Sequence, residues 1–278
     1  MAKKQPIVAI LYDFDKTLAT DDMQNFSFIP QLGMTKEDFW GSTEKLAKKT
    51  GMEKILAYMY MMIEKCREKG INLTKDYLYK LGKDVKFYEG VTAWFKRINA
   101  YGEEQGVKIE HYIVSSGTKE IIEGTSIAKE FKEIYACEFL FDDNGIATWP
   151  KIAINYTAKT QFVFRIVKGV LNSHDDVGLN SRTESKRVPF RNIIYIGDGL
   201  TDIPCMTLVK EKGGKSIAIY PKGKKDKVYS LFEEERVNYI CRGDYSVNSD
   251  LDKIVKLIIN QVSILDTLIN KESELLKK

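Results

Sequence analysis

The chain has 278 residues, 44% hydrophobic and 29% charged, the make-up of an ordinary globular protein long enough for one large α/β domain with an insertion. Its net charge of +4, from 43 basic and 39 acidic residues, is too small an excess to argue for a nucleic-acid partner. The absence of any apolar stretch near the roughly 18 residues of a membrane span, and the dispersal of Cys66, Cys137, Cys205 and Cys241, exclude a membrane protein, a zinc site and a disulfide framework, leaving a cytoplasmic protein with free thiols as the expectation.

In chain order, Ile7-Val8-Ala9-Ile10-Leu11-Tyr12 is a short β-branched run bounded by Pro6, with no signal-peptide pattern before it, and reads as a buried parallel strand. It ends in Asp13-Phe14-Asp15-Lys16-Thr17, after which about 70 residues are helical in style. Thr35-Lys36-Glu37-Asp38 looks like a capping box opening a helix to the Gly51 region. Met52 to Lys69 carries a 3.6-residue apolar stripe ended by Gly70, and a third helix starts at Thr74. Within the second helix, Tyr58 to Met62 is apolar on nearly every side. Burial inside the helical block is the preferred reading, and an adaptable Met-rich wall facing a substrate is the other.

Phe87 to Val91 is a turn into a helix that precedes a strand from His111 to Val114, and His111 reads as structural. That strand ends in Ser115-Ser116-Gly117, with a helix expected from about Thr118 to Phe131. Residues 134 to 157 alternate around Asn144-Gly145 as a β-hairpin, and a helix spans 159 to 171. The polar connection 172 to 192 is long enough to be a mobile flap, its Asp175-Asp176 pair solvated. A second apolar strand, Ile193 to Ile196, ends in Gly197-Asp198-Gly199-Leu200-Thr201-Asp202. A last strand, Ser216 to Tyr220, is followed by a basic loop, Lys222 to Lys227, and a helix from about Ser249. Leu251, Val255, Ile258, Val262, Leu265 and Ile269 mark that helix's apolar stripe. It packs on the protein's own core by default, with a homodimer seam as the alternative.

Two strands thus deliver carboxylates to their carboxyl ends, the edge where open α/β sheets bind ligands. Asp13, Asp15 and Asp198 brought together there would repel one another, and a hard cation such as Mg²⁺, which takes oxygen ligands and substrate phosphate oxygens, is the usual remedy.

In these residues the chain resembles the haloacid dehalogenase superfamily, in particular its phosphoserine phosphatase-like branch. The resemblance rests on four segments in order: Asp13 to Thr17, the strand Tyr112 to Val114 ending in Ser115-Ser116-Gly117, Lys159 opening a helix, and Gly197 to Asp202. It implies a Rossmann-like parallel-sheet α/β core built from residues 1–20 and 89–278, with a helical cap domain inserted at 21–88. It also implies Mg²⁺-dependent hydrolysis of a small phosphorylated metabolite, with Asp13 as nucleophile, an aspartyl-phosphate intermediate, and Asp15 as general acid and base. Mg²⁺ would be held by Asp13, the backbone carbonyl of Asp15 and Asp198, with Asp202 farther out. Ser115, rivalled by Ser116, would bind the phosphoryl oxygens with Gly117, Thr201 and the helix N-terminus beginning there. Lys159, with Lys151 a weaker rival, would neutralise the shared charge.

Asp15-Lys16-Thr17 also matches the phosphorylation motif of cation-pumping ATPases, but those proteins need membrane spans this chain lacks. The branch's phosphoserine phosphatases carry a Glu nine residues after the nucleophile, where Asp22 stands here, and a cap arginine, for which Arg67, late in a helix, is the sole candidate between 21 and 90. Phosphoserine is therefore disfavoured, and Asp22 remains a candidate contact for a cationic substrate group. A phosphotransferase or phosphomutase of the same fold, and a non-catalytic phosphate-binding domain, stay open as alternatives.

Overall fold

The computed structural model describes residues 5–182 and 186–276. Six consecutive buried residues form β1 (Ile7–Tyr12), a strand apolar on both faces that is satisfied only in mid-sheet. A helical insertion follows, with α1 (Phe28–Gln31), α2 (Lys36–Thr50), α3 (Lys54–Glu68) and α4 (Lys75–Leu81). Its helix ends follow their local chemistry. The Thr35 side chain accepts from the Asp38 N–H, Gly51 closes α2 at φ 71°, and Thr74 accepts from the Tyr77 N–H at the start of α4.

The chain then runs through α5 (Val91–Glu104), β2 (Lys108–Thr118), α6 (Lys119–Glu123), β3 (Glu133–Phe141), β4 (Ala147–Ile152), α7 (Ala158–Lys168) and α8 (Asp176–Asn180). It finishes with β5 (Ile193–Gly197), α9 (Ile203–Glu211), β6 (Lys215–Tyr220), α10 (Asp226–Glu233), β7 (Tyr239–Arg242) and α11 (Asp250–Leu275). The seven strands form one sheet in the order β4-β3-β2-β1-β5-β6-β7, parallel except for β4 against β3. β1 is central, flanked by β2 and β5, so three neighbouring strands end beside one another at a single sheet edge.

The insertion is seated on the rest of the molecule by close backbone contacts. A Cβ on Gly124, just after α6, would lie 1.8 Å from the Tyr79 carbonyl oxygen of α4, and one on Gly82 would lie 2.4 Å from the Ile121 carbonyl oxygen. The Ala147 N–H of the hairpin donates to the Leu73 carbonyl at 2.8 Å. At the other end of the chain, Leu251, Val255, Ile258 and Val262 of α11 are buried against the protein's own core, whereas Ile269 is half-exposed. The Arg97 guanidinium of α5 pairs with the buried Asp252 carboxylate of α11 at 3.1 Å. No helix among the described residues is long and apolar enough to cross a membrane.

Several elements differ from expectation. The helix expected over 118–131 is one short helix, α6, followed by a separate 3-10 turn at Ala128–Glu130. β2 continues to Thr118, and α6 ends at Glu123, beside Gly124, which lies close against the Tyr79 carbonyl. The hairpin ends at Ile152 rather than near 157 and lacks a two-residue Asn-Gly turn. Asp142 accepts from the N–H groups of Asn144 and Ile146 through its side chain, and only Gly145 takes a positive φ, 73°. Ser216 to Tyr220 is not in the last strand, since β7 follows, and the basic run passes into α10 at Asp226. The 172–192 connection contains α8, held by Arg165 pairing with Asp176 at 2.8 Å. Residues 183–185 of that connection lie outside the described residues.

Candidate active site

The loop after β1 is fixed to its neighbour by the Asp13 N–H, which donates to the Ile196 carbonyl of β5 at 2.9 Å. The amides of Leu18 and Ala19 both return to the Phe14 carbonyl at 3.0 Å, curling the chain so that Asp13 and Asp15 face one cavity. Thr17 is fully buried, and its carbonyl accepts from the Tyr245 hydroxyl at 2.9 Å, a bracing contact. Lys16 sits at φ 56°, a left-handed backbone that costs a side-chain-bearing residue on the order of 1 kcal/mol.

Behind the cavity, Lys159 is fully buried at the start of α7. Its ammonium donates to Asp13 Oδ1 at 3.0 Å and Asp202 Oδ1 at 2.7 Å, and reaches Thr201 Oγ1 at 3.5 Å. Asp202 Oδ1 also accepts from the Tyr195 hydroxyl at 2.7 Å, while Asp202 Oδ2 is buried without a partner. This packing depends on Gly197, because a Cβ there would lie 2.6 Å from the Asp202 carboxyl carbon. Oxygens of Asp13, Asp198 and Asp202 lie within 4.8 Å of one another.

The electrostatics follow from this crowding. Burial, then the charge of Asp202, pushes the Asp13 carboxyl up to about 6 against the opposing pull of Lys159. Burial likewise raises Asp15 well above the carboxylate range, with Asp22 and Asp13 adding to it, and raises Asp198, with Asp13 and Asp202 adding. Burial alone would depress the Lys159 ammonium, but its two carboxylates outweigh it and hold the side chain protonated. The donor set is all oxygen, anionic and short of positive charge, and one carboxylate oxygen is an unused buried acceptor. These residues therefore fit a hard divalent cation.

At the end of β2, Ser115 is fully buried and its Oγ accepts from the Gly117 N–H at 3.0 Å, leaving the hydroxyl proton free to donate. Ser116 Oγ is buried without a partner, and the Ser116 carbonyl accepts from the Tyr58 hydroxyl at 2.7 Å. A Cβ on Gly117 would lie 2.8 Å from Asp15 Oδ2 and 2.1 Å from Met23 Cε, so a larger residue there would push both side chains aside. The helix expected to begin beside these groups is the five-residue α6, too short to add much of a dipole. Lys151 pairs with Glu138 at 2.9 Å, whereas Lys159 lies under Asp13.

The cavity measures about 310 Å³, and its core side is made by Asp13, Asp15, Ser115, Ser116, Asp198 and Thr201. The insertion supplies Asp22, Gln24, Trp40, Ile55 and Tyr58. Asp22 accepts both of its short bonds, 2.6 and 2.7 Å, from the Lys16 ammonium, and Asp15 Oδ1 accepts from the Met23 N–H at 2.7 Å. Of the segment Tyr58 to Met62, Met59 and Met62 are fully buried among the helices, as the preferred reading has it, and the segment meets the cavity through the Tyr58 ring and not through a wall of methionines. Arg67 lies on the outer surface, paired with Glu64. Gln24, Trp40, Ile55, Lys16 and Tyr195 were not singled out from sequence. Of these, Lys16, inside the Asp13 to Thr17 segment, and Tyr195, two residues before Gly197 in a strand that points toward the site, carried a usable signal of position.

Comparison with known proteins agrees with this arrangement. A Borreliella burgdorferi (strain ATCC 35210 / DSM 4680 / CIP 102532 / B31) protein described as uncharacterized is 28% identical over 277 residues, covering 90% of this chain and 96% of its own. A HAD family hydrolase of Salmonella enterica subsp. enterica serovar Typhi superposes with a TM-score of 0.59 at 15% identity, over 91% of this chain and 72% of that one. A substrate-bound phosphoserine phosphatase gives 0.57 at 18% identity, over 92% and 99%. These two show a shared fold. The family model for haloacid dehalogenase-like hydrolases matches residues 10–207, from β1 into α9 and so across all four segments of the site, and the chain belongs to that family.

Proposed function

We propose that the protein is a phosphatase that hydrolyses a small phosphomonoester by attack of Asp13 on phosphorus. The observation that carries this reading is the convergence of Asp13, Asp15, Ser115 and Asp198 on one cavity with Lys159 buried beneath the nucleophile. A phosphoryl transfer asks a protein chiefly for a positioned nucleophile and compensation of charge on the equatorial oxygens. Asp13, pinned through its own N–H and its Oδ1, is held in place for in-line attack, which forms an aspartyl-phosphate and splits hydrolysis into two steps. Asp15 lies on the same cavity with a raised pKa, suited to protonate the leaving oxygen and afterwards to take a proton from water. Ser115, whose Oγ accepts from the Gly117 N–H, would donate its hydroxyl proton to a phosphoryl oxygen. Asp13, Asp198 and Asp202 would hold Mg²⁺, together with the Asp15 carbonyl, and the ion would offset charge on the nucleophile and the transferring group. The 21–88 insertion acts as the cap that closes over this centre and excludes water.

Phosphate release from a panel of phosphomonoesters, with Mg²⁺ and with excess chelator, tests the reading. Asp13→Asn, nearly isosteric and a poor nucleophile, is expected to abolish turnover with the fold retained, and Asp198→Ala to lose activity together with the Mg²⁺ response. Residual activity of Asp13→Asn within tenfold of wild type, or equal wild-type rates in chelator, would defeat the assignments.

A further inference from the structure

We propose that the leaving group of the substrate is an uncharged alcohol of about one ring in size that carries a further hydroxyl, read by Gln24 against an apolar wall of Trp40, Ile55 and Tyr58. The proposal rests on the phosphatase reading of this site and names its substrate class.

Charge comes first. Among the residues lining the cavity, Lys16 is the only cation, and its ammonium is bonded to both oxygens of Asp22, at 2.6 and 2.7 Å. Each charge is answered by the other. A substrate carboxylate would have to take Lys16 from Asp22, and a substrate ammonium would have to take Asp22 from Lys16 or compete for the carboxylates that serve the metal and the chemistry, while Arg67 is occupied elsewhere. A neutral leaving group leaves the bridge intact.

The insertion wall is aromatic, and its polar tips are turned away. Trp40 donates its Nε1–H to Asn25 Oδ1 at 2.8 Å, and Tyr58 donates its hydroxyl to the Ser116 carbonyl at 2.7 Å. The two rings meet edge to face with centroids 6.0 Å apart, fixing each other's orientation. What they offer a ligand is ring surface, continued by Ile55. The cavity volume, about 310 Å³, stands at the small end of ligand sites, which run from roughly 300 to 1,000 Å³, so a phosphoryl group and one ring fill it.

Gln24 is the polar exception on this wall. It is 2% exposed and lines the cavity, its Nε2 has only a long 3.4 Å contact with Thr118 Oγ1, and its Oε1 has no partner. A buried amide with unused capacity favours a ligand that completes it. A hydroxyl both donates and accepts, so it satisfies the amide whichever way its terminal atoms are turned.

A series of related esters tests the proposal: benzyl phosphate, its three hydroxymethyl isomers and its 4-carboxylate, with phosphoserine alongside, assayed as kcat/KM on the full chain with Mg²⁺. The best hydroxymethyl isomer is expected to exceed benzyl phosphate by about tenfold, and the two carboxylate-bearing esters to fall about tenfold or more below it. In Gln24→Leu the ratio between hydroxymethyl and plain ester should collapse toward one. In Trp40→Ala, KM should rise for every benzyl ester more than for methyl phosphate. Preference for a carboxylate-bearing ester, or a hydroxyl advantage that survives Gln24→Leu, overturns the proposal. Should a variant fail to fold, the wild-type series still decides whether a carboxylate is rejected and whether the hydroxyl is favoured. Hydrolysis of none of the esters defeats the phosphatase reading instead, so the two failures are separable.

Discussion

Lys159 donates to two carboxylates in a place water does not reach, and much of the site's balance rests on it. In Lys159→Gln, Asp13 and Asp202 lose the charge that lets them lie close together. Removing a comparable charge-stabilising donor costs roughly 10² to 10³ in kcat, and a loss of that size is expected here in steady-state assays. Two further buried groups shape stability without touching the cavity. Burial pushes His111 down to about 3 from its ordinary 6.5, and its ring is held neutral between the Tyr12 hydroxyl and Asn99 Oδ1, each at 3.0 Å. Burial would raise Glu110, but hydrogen bonds from Arg187, Lys132 and Tyr112 outweigh it and bring it down to about 2 from 4.5. In both cases the unfolded chain binds a proton that the folded one refuses, so stability rises with pH across each window. The raised carboxyls of Asp13, Asp15 and Asp198 tilt the pH dependence the other way, so the Glu110 contribution is read as the difference in urea midpoint between wild type and Glu110→Gln, which should shrink as pH drops below 4.5.

At the scale of elements, the docking of α4 on α6 sets how the insertion sits over the cavity. Gly124→Ala would drive a methyl group into the Tyr79 carbonyl at 1.8 Å, and backbone cannot yield as a side-chain tip does. Overpacking of this kind costs about 2 kcal/mol, visible as a lower Tm, and KM for any substrate gripped by the insertion should rise with it. The same junction explains what was legible in the sequence. β1, β5 and α2 announce themselves, because a two-sided apolar run or a cap followed by a stripe is a local pattern. The early end of α6 does not, since Gly124 is needed for a neighbour more than forty residues away in the chain. β7 has four residues, too few to display a period. In the site, the acidic residues and Lys159 stand in recognisable segments, whereas Gln24 and Trp40 acquire their roles only when the insertion folds back over β1.

At the scale of the whole molecule, the proposed function predicts that chemistry and selection are carried by different stretches of chain. Replacing residues 21–88 by the corresponding insertion of another family member should change which esters are hydrolysed while Asp13→Asn still abolishes turnover. Loss of all turnover in a correctly folded exchange would show that the insertion also supplies chemistry. α11 adds a second long-range tie, closing the far end of the chain onto α5 through Arg97 and Asp252.

The central position of β1 has a consequence for how the molecule comes into being. Ile7 pairs with Lys108, and Ala9 with Ile193, so the first strand waits for partners far along the chain. Until Ile193–Ile196 arrives, Asp13 lacks the carbonyl that anchors it, and six apolar residues are open to pairing with another molecule. Loops this long make folding slow. Assembly of the acidic cluster is therefore a late event in folding, and a chain interrupted anywhere before β5 has Asp13 in its sequence but not the site around it.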